Sequence, residues 1–474
     1  MIADLKPYAE YKESGLPWLL HVPSTWKVVR NGSLFGQRNQ TGYEALPILE
    51  VSLKTGVRVR NFENSTRKQV MSDFGKYKHA ARGDVAYNTM RMWQGAVGVS
   101  PVDGLVSPAY VVAQPYPDVE PRFFVALFRT DDYMSEIDNC SRGIVKDRNR
   151  LYWDQFKQIL SPCPPLAEQA AIVRFLDWAN GRMERAIRAK RKVIALLTEQ
   201  KQAIIHRAVT RGLPSTGSGQ ATPVPLKPSG IPWLGDIPQH WEVISLRMRY
   251  LVELGKMLDA KRITGRHSIP YLRNRDVQWD RVLTDDLPVM DIPPSEFARY
   301  TVKRGDLLVC EGGQVGRSAF WEDQLSVCGF QKALHRVRCL DGSRDHSRFF
   351  FYQMQLAAGR GVFSADGNEN TFAHLTCEKL RRHRFVFPPF IEQKAVADHL
   401  DGELRQFQTA ISRLEREIEL LREYRIRLVA DVVTGKLDVR EAASRLPDEA
   451  APDRVEDDTD LRLDPESADE EATV

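Results

Sequence analysis

Two long stretches of the chain repeat apolar residues at alternating spacings of four and three, the pattern of a coiled-coil helix. The clearer stretch follows Pro388 and Pro389 and contains no further proline before the acidic end of the chain. Its apolar seam consists of Leu400, Leu404, Phe407, Ile411, Leu414, Ile418, Leu421 and Leu428, interrupted only by Arg425. The pattern predicts a helix of about 40 residues, roughly 60 Å long. A compact domain does not need such a length, which favours a spacer.

The second stretch follows Pro164 and Pro165 and has a weaker seam. Its apolar positions are Leu176, Met183, Ile187, Ile194, Leu197 and Ile204, and its polar positions are Asn180, Lys190 and Lys201. We expect the two helices to pair with each other, since one apolar partner supplies stability while Asn180 and Lys190 help to fix the pairing. A homodimer seam is the alternative. If the helices run antiparallel, a globular half lies at each end, with a pseudo-two-fold axis through the middle.

Two sequence phrases occur once in each half of the chain, one near the start of the half and one at the start of its long helix. SGLPWLLHVPSTW at 14–26 returns as SGIPWLGDIPQHW at 229–241, with seven identities in thirteen positions. PPLAEQAAIVRFLD at 164–177 returns as PPFIEQKAVADHLD at 388–401. Because residues in the middle of each half differ while these phrases persist, we expect one scaffold in two copies. Loops that diverge on a constant scaffold indicate that each half recognises something different.

Short β-rich runs broken by Gly and Asn lie between the shared phrases, and they predict a mixed sheet in each half. The fold class is therefore α+β, with two tandem-repeated mixed α/β domains separated by two long antiparallel helices. The predicted segments are a first recognition domain at 1–162, a helix at 163–212, a linker at 213–226, a second recognition domain at 227–386, a second helix at 387–435 and an acidic, disordered tail at 436–474.

Charge points to an anionic partner. Residues 447–474 hold twelve acidic residues against two arginines, a local balance of −10. Since the whole chain carries +4, the remainder carries about +14. Such a surplus on the folded part is typical of nucleic-acid binding. The tail has few bulky apolar residues, so we expect it to be disordered and to aid solubility rather than to mimic DNA.

These repeated phrases, together with RGDVAY at 82–87, RGDLLV at 304–309 and RNRLYWDQFKQI at 148–159, resemble the specificity subunit of a type I restriction-modification enzyme. The resemblance covers residues 8 to 440. It implies one target-recognition domain in each half, a bipartite asymmetric double-stranded DNA target with an unspecified spacer, and two helices that set the spacing. It also implies docking of two methyltransferase subunits and, through them, of restriction and motor subunits. S-adenosylmethionine, ATP and Mg²⁺ would then be bound by these partners.

Catalytic and metal-binding motifs are missing from the sequence. The string SPAY at 107–110 lacks the paired prolines of an adenine methyltransferase, and EGGQVGRS at 311–318 lacks the lysine of a phosphate-binding loop. The six cysteines form no C-x-x-C pair, which disfavours a zinc knuckle or a disulfide framework. We therefore expect no catalysis, no cofactor and no metal in this chain. The chain also shows no secretory signal and no long apolar run, so we expect a cytoplasmic protein.

Candidate base-reading residues are those with forked donors or amides on loops, because these match base edges. After the two RGD turns lie two such loops, with Asn88, Arg91 and Gln94 in the first half and Gln314 and Arg317 in the second. Further candidates are Lys146, Arg148, Arg150, Arg273, Asn274, Arg275, Asn368 and Asn370. The arginines could instead be solvated or paired with carboxylates. The four tryptophans shared by the two halves fit packing better than base stacking, and the Glu-Gln pairs after the prolines fit helix starts or a methyltransferase docking surface.

Two other classes of protein stay open at this point. The chain could be a self-contained DNA methyltransferase or nuclease with an unrecognised site. It could also be a coiled-coil scaffold that never touches DNA, although a pure spacer has no need for two distinct globular heads.

Overall fold

The computed structural model describes residues 5–60, 74–142, 149–213, 224–258, 264–363 and 374–447. The described residues divide into two compact units. Unit 1 contains the residues up to Lys190 together with those from Arg416 onward, and unit 2 contains Arg191–Glu415. Each unit therefore takes one globular region and a segment from each of the two long helices.

Unit 1 is built around a four-stranded antiparallel sheet. The strands of unit 1 are β1 (Tyr11–Leu16), β2 (Leu19–Pro23), β3 (Lys27–Arg30), β4 (Phe35–Arg38), β5 (Leu49–Ser52), β6 (Gly56–Val59), β7 (Lys78–Ala80), β8 (Val85–Asn88), β9 (Val97–Val99), β10 (Gly104–Val106), β11 (Tyr110–Pro115) and β12 (Leu160–Cys163). Its short helices are α1 (Pro121–Phe128), α2 (Asp131–Cys140) and α3 (Trp153–Phe156). The long helix α4 (Leu166–Arg211) follows, and its residues up to Lys190 belong to unit 1. The four-stranded sheet has the order β4-β11-β8-β9. The pairs β1-β2 and β3-β12 form separate two-stranded sheets.

Strand β8 shows why this sequence forms a central strand. Successive side chains point to opposite faces of a strand. Val85 and Tyr87 pack into the main aromatic core of unit 1 with Phe124, while Ala86 packs into a smaller cluster with Leu49 on the other face. A strand that is apolar on both faces is buried on both faces, which places β8 inside the sheet rather than at its edge.

Unit 2 is built around a sheet of the same order. Its strands are β13 (Leu226–Pro228), β14 (Asp236–Pro238), β15 (Glu242–Ser245), β16 (Tyr250–Leu254), β17 (Ser268–Leu272), β18 (Val277–Gln278), β19 (Arg281–Val282), β20 (Val289–Asp291), β21 (Leu307–Cys310), β22 (Ser318–Phe320), β23 (Gly329–Phe330), β24 (Leu334–Cys339) and β25 (Arg384–Phe387). Its short helices are α5 (Phe297–Tyr300), α6 (Ser347–Gly359) and α7 (Cys377–Arg382). The long helix α8 (Phe390–Val433) follows, and its residues up to Glu415 belong to unit 2. The order β16-β24-β21-β22 corresponds strand for strand to the sheet of unit 1, and β13-β14 and β15-β25 correspond to its strand pairs.

The long helices span 46 and 44 residues, so α4 is about 69 Å long. Within unit 1, Glu184 lies 3.5 Å from Arg425, and Lys190 Nζ donates to Glu417 Oε2 at 2.5 Å. Residue numbers fall on α8 as they rise on α4, so the two segments of unit 1 run antiparallel. In unit 2, Lys201 Nζ lies 3.3 Å from Gln408 Oε1.

The predicted seam positions are buried or half-buried. The buried members are Leu176, Met183, Ile187, Leu400, Leu404, Ile411 and Ile418, and the half-buried members are Ile194, Leu197, Phe407, Leu414 and Leu421. A coiled coil therefore fits the two helices. Asn180 Oδ1 is buried without a hydrogen-bond partner among the described residues, whereas Lys190 has its partner in Glu417.

The predicted acidic tail begins too early at residue 436. The chain continues into helix α9 (Arg440–Ser444), and Val439, Ala443 and Leu446 are buried in unit 1. The backbone nitrogen of Asp438 donates to the carbonyl oxygen of Lys6 at 2.8 Å, which ties this segment to the beginning of the chain. Apolar residues at helical spacing outweigh the local charge through residue 446. Residues 448–474 lie outside the described residues.

Candidate nucleic-acid interface

In unit 1, the repeated phrase ends at a junction between the globular region and both long helices. Trp26 is fully buried, and its Nε1 donates to Glu168 Oε1, in the first turn of α4, at 2.9 Å. The Tyr8 hydroxyl donates to the same oxygen at 2.6 Å. Burial first, and then this hydrogen bond, raise the pKa of Tyr8 far above its ordinary value, so that the hydroxyl keeps its proton. Gly435, just after α8, packs against Trp26, and a Cβ there would lie 3.2 Å from its ring.

Unit 2 repeats this junction with different neighbours. Trp241 Nε1 donates to Glu392 Oε1, in the first turn of α8, at 3.1 Å, and His240 Nε2 donates to Glu392 Oε2 at 2.8 Å. Gly212, just after α4, lies so close that a Cβ would be 2.8 Å from Glu392 Oε1. Both glycines have a positive φ, 74° at Gly212 and 78° at Gly435, which only glycine adopts without strain. Each buried tryptophan therefore joins the start of one long helix to the end of the other.

The glutamine after each of these glutamates closes the same junction. Gln169 Nε2 donates to the carbonyl oxygen of Pro164, and Gln393 Nε2 donates to that of Pro388, both at 2.8 Å. Trp18 and Trp233 pack edge-on against Tyr133 and Phe385. The tryptophans and the Glu-Gln pairs thus have structural contacts, as their presence in both halves indicates.

The RGD turns are held by buried ion pairs. Asp84 Oδ2 accepts from Arg38 Nε at 2.6 Å, and Asp306 Oδ1 accepts from Arg338 Nε at the same distance. Each aspartate also accepts a backbone N–H three residues earlier, from Ala81 at 2.9 Å and from Lys303 at 2.7 Å. The turns are therefore anchors that feed β8 and β21 into the sheets, and the candidate reading loops follow those strands.

In unit 1, the three candidate residues in the loop after β8 differ in their exposure to solvent. Asn88 is only 7% exposed, and its Oδ1 accepts from the backbone nitrogen of Met90 at 2.9 Å. Arg91 is half-buried, and Gln94 is exposed. Since the Asn88 amide is committed to the turn, Gln94 is the residue that this loop offers most openly.

In unit 2, the predicted loop after β21 contacts the segment that holds the candidates Arg273, Asn274 and Arg275. Asn274 Nδ2 donates to the carbonyl oxygen of Gly312 at 2.9 Å, and Arg317 Nη2 donates to Asn274 Oδ1 at 3.1 Å and to the Asn274 carbonyl at 3.0 Å. Arg317 Nη1 lies 3.4 Å from Gln278 Oε1. Among the described residues Arg317 Nε is buried without a partner. Asn274 and Arg317 therefore hold the loops to each other.

The remaining candidates of unit 2 divide into paired and exposed residues. Arg273 forms a fork on Asp276, with Nε–Oδ2 at 2.8 Å and Nη2–Oδ1 at 2.9 Å. Arg275 has 70% of its side chain exposed and lies 3.8 Å from Asp276. Gln314 is exposed. The open donors and acceptors on this surface thus belong to Arg275 and Gln314.

Other candidates lie apart from these loops or outside the described residues. Arg150 is exposed, and its backbone pairs with that of Arg142. Lys146, Arg148, Asn368 and Asn370 fall outside the described residues.

Sequence patterns did not identify Lys332 and His374 as residues beside the unit 2 loops. Burial raises the pKa of the Glu311 carboxyl, and the nearby His374 and Lys332 side chains oppose this shift without cancelling it. Their separation from Glu311 along the chain left no local signal.

Over the described ranges, no helix is long and apolar enough to cross a membrane. Over the same ranges, no group of three or more His, Cys, Asp or Glu side chains could hold a metal ion.

Comparison with curated proteins finds two relatives in Escherichia coli. The chain is 32% identical over 92 residues to the type I restriction enzyme EcoBI specificity subunit, a match that covers 19% of each chain. It is 26% identical over 219 residues to the EcoKI specificity subunit of strain K12, which covers 46% of this chain and 42% of the relative. The matches therefore span less than half of either relative. No family model matches the chain.

Comparison with solved structures finds the same fold. A chain from a study of complex assembly and conformational transition of the type I R-M system aligns with a TM-score of 0.62 at 16% identity. The alignment covers 88% of this chain and 99% of that chain. Together, these matches confirm the resemblance to type I specificity subunits seen in the repeated phrases.

Proposed function

We propose that this chain is the DNA-recognition subunit of a type I restriction-modification complex, in which each unit reads one part of a bipartite, asymmetric target. The observation that carries this proposal is the repeated junction. Trp26 with Glu168 and Trp241 with Glu392 attach a sheet of the same strand order to the helices, while the loops beyond the sheets differ. A constant support with different loops suits two readers of different sequences.

In unit 2, base contacts fall to Arg275 and Gln314. The guanidinium group of arginine can donate two hydrogen bonds to guanine, and the amide of glutamine can pair with adenine. Asn274 and Arg317 support these residues by joining the two loops that carry them. In unit 1, Gln94, Arg91 and Arg150 take the corresponding roles, with Arg150 suited to phosphate contacts. This assignment is narrower than the sequence prediction because Asn88 and Arg273 are occupied by internal contacts.

The long helices serve as the spacer in this proposal. The antiparallel contacts within unit 1 support an arrangement in which α4 and α8 pair along their length, with pseudo-two-fold symmetry. Two methyltransferase subunits dock on the chain, and restriction and motor subunits join through them. The chain itself performs no catalysis. S-adenosylmethionine, ATP and Mg²⁺ act on the partner subunits.

The test is to lengthen the spacer and to map methylation. Insertion of one heptad after Lys190 and one after Glu415 adds about 10 Å, or about 3 bp of DNA. Adenine methylation is mapped across the host genome with the original chain, with the lengthened chain and without the chain. We expect a bipartite methylated motif that needs the chain and whose gap grows by about 3 bp while both half-sites persist. Methylation that does not depend on the chain would overturn the proposal, and an altered half-site with an unchanged gap would overturn the spacer role.

A further inference from the structure

One arginine of unit 2 connects the turn between β18 and β19 to the long helix α8. Arg348, in α6, forms a fork on Asp280, with Nη1 bonded to Oδ1 and Nη2 to Oδ2 at 2.7 Å. On its other side, Arg348 Nε donates to Asp401 Oδ1, in α8, at 2.8 Å. The Tyr352 hydroxyl donates to the same Asp401 oxygen at 2.5 Å. A single guanidinium group thus joins a loop carboxylate to a helix carboxylate.

Asp280 belongs to the structure that carries the base-reading candidates. It lies in the turn between β18 and β19, two residues after Gln278, which contacts Arg317. Its φ is +57°, and its backbone nitrogen donates to the carbonyl oxygen of Ser318, in β22, at 3.0 Å. Asp280 is therefore hydrogen-bonded to the first residue of the strand that directly follows Arg317.

The environment of Arg348 fixes the guanidinium in one position. Its Cζ lies over three rings, 4.7 Å from the centre of Phe351, 5.2 Å from Tyr352 and 5.8 Å from Phe320. Burial opposes its charge, but the hydrogen bonds that it donates to Asp280 and Asp401 outweigh burial and raise the pKa of Arg348 above its ordinary value. A planar, permanently charged group with five donors suits such a three-way contact, and lysine would not replace it.

Unit 1 has the corresponding contact to a long helix but not the contact to a loop carboxylate among the described residues. Arg122 stands at the matching place before the aromatic residues of α1, and its Nη2 donates to Asp177 Oδ1 in α4 at 2.5 Å. Both side chains are substantially exposed. The contacts of Arg122 with other side chains in the described part of the chain include no carboxylate from a reading loop. The connection to the spacer helix is therefore shared by the units, and the connection to the loop is specific to unit 2.

We propose that Arg348 is a positioning residue for recognition by unit 2, which holds the turn at Asp280 in a fixed orientation to α8 and thereby sets where the loops of residues 273–278 and 311–317 meet DNA. This inference rests on the proposed function. It concerns specificity rather than folding, because the turn has other contacts that hold it in the fold, such as the packing of Trp279 on Phe351 of α6.

The test uses variants that remove the connection and leave the backbone relaxed. Asp280→Asn and Asp280→Gly both tolerate the left-handed conformation, and Arg348→Lys keeps the charge without the fork. Each full chain is placed in the host with its partners, and methylation is mapped genome-wide. We expect at least a tenfold rise in methylation of sites with single mismatches in one half-site, or with gaps changed by one base pair, in all three variants. The other half-site keeps its discrimination, and the melting temperature changes little.

The matched control is Arg122→Gln in unit 1, for which we expect unchanged discrimination at both half-sites. Two results would overturn the inference: wild-type discrimination in the Asp280 and Arg348 variants, or an equal loss at both half-sites. Failure of the proposed function looks different, because the original chain would then direct no bipartite methylation at all.

Discussion

Units 1 and 2 agree in the residues that attach a sheet to the helices and differ in the residues at the tips of the loops. Both bury a tryptophan on the first-turn glutamate of a long helix, and both hold an RGD turn with a strand arginine. The second partner of the glutamate is Tyr8 in unit 1 and His240 in unit 2. The two junctions therefore share their geometry but differ in the side chain beside the tryptophan.

The loops show the opposite behaviour. In unit 1, Glu50 of β5 pairs with Arg58 of β6 across a small hairpin, with the Arg58 Nε atom 2.6 Å from Glu50 Oε1. At the corresponding place, unit 2 carries Arg273, Asn274 and Arg275, and the second of these bonds to the loop after β21. The two surfaces therefore differ in charge as well as in shape. Such a difference is what two readers of unlike sequences require.

The largest effect that we expect comes from the feature shared by the units. Trp26→Ala and Trp241→Ala each remove a fully buried indole and a hydrogen bond, which should cost about 3–5 kcal/mol. Hydrogen exchange followed by mass spectrometry should show faster exchange in unit 1 for the first variant and in unit 2 for the second. Leu20→Ala, at a side chain that is largely exposed, serves as the control. A strong effect from only one tryptophan would show that the two junctions are not equivalent.

Sequence patterns could predict the attachment because its signals are local and repeated. The 4-3 spacing locates both helices, and the repeated Trp and Glu-Gln positions mark the junctions. The loop contacts could not be predicted this way. The bond of Arg317 to Asn274 joins residues 43 positions apart, and the sequence alone does not show that Arg273 forms a fork on Asp276. Helix α9 was hidden because its few apolar residues precede a strongly acidic run.

An intermediate effect is expected at the loop tips, where the units differ. Arg275→Ala should relax one position of one half-site by about 1–3 kcal/mol, because a bidentate base contact is lost. Gln94→Ala should relax a position of the other half-site. Methylation mapping of each variant measures both half-sites together. Arg405→Ala removes an exposed arginine on α8 and should leave the recognised bases unchanged. Relaxation of the same half-site by both loop variants would contradict independent reading.

The smallest effect concerns the two polar contacts between the helices. In unit 1, Lys190 meets the carboxylate of Glu417, whereas in unit 2 Lys201 meets the neutral amide of Gln408. Both Lys190 and Glu417 are about one-third exposed or less, so their attraction is only partly screened. A double-mutant cycle with Lys190→Ala and Glu417→Ala should give a coupling energy of about 0.5–1 kcal/mol in urea unfolding at low salt.

The corresponding cycle with Lys201→Ala and Gln408→Ala tests the difference between the units. An ion pair weakens as salt screens its charges, but a hydrogen bond to a neutral amide has no opposite charge to screen. The first coupling should therefore fall between 0.1 M and 1 M salt, while the second stays constant. If both couplings fell alike, long-range charge rather than the Lys190 contact would govern the pairing. Couplings near zero at both places would instead show that the polar contacts add nothing to the apolar seam.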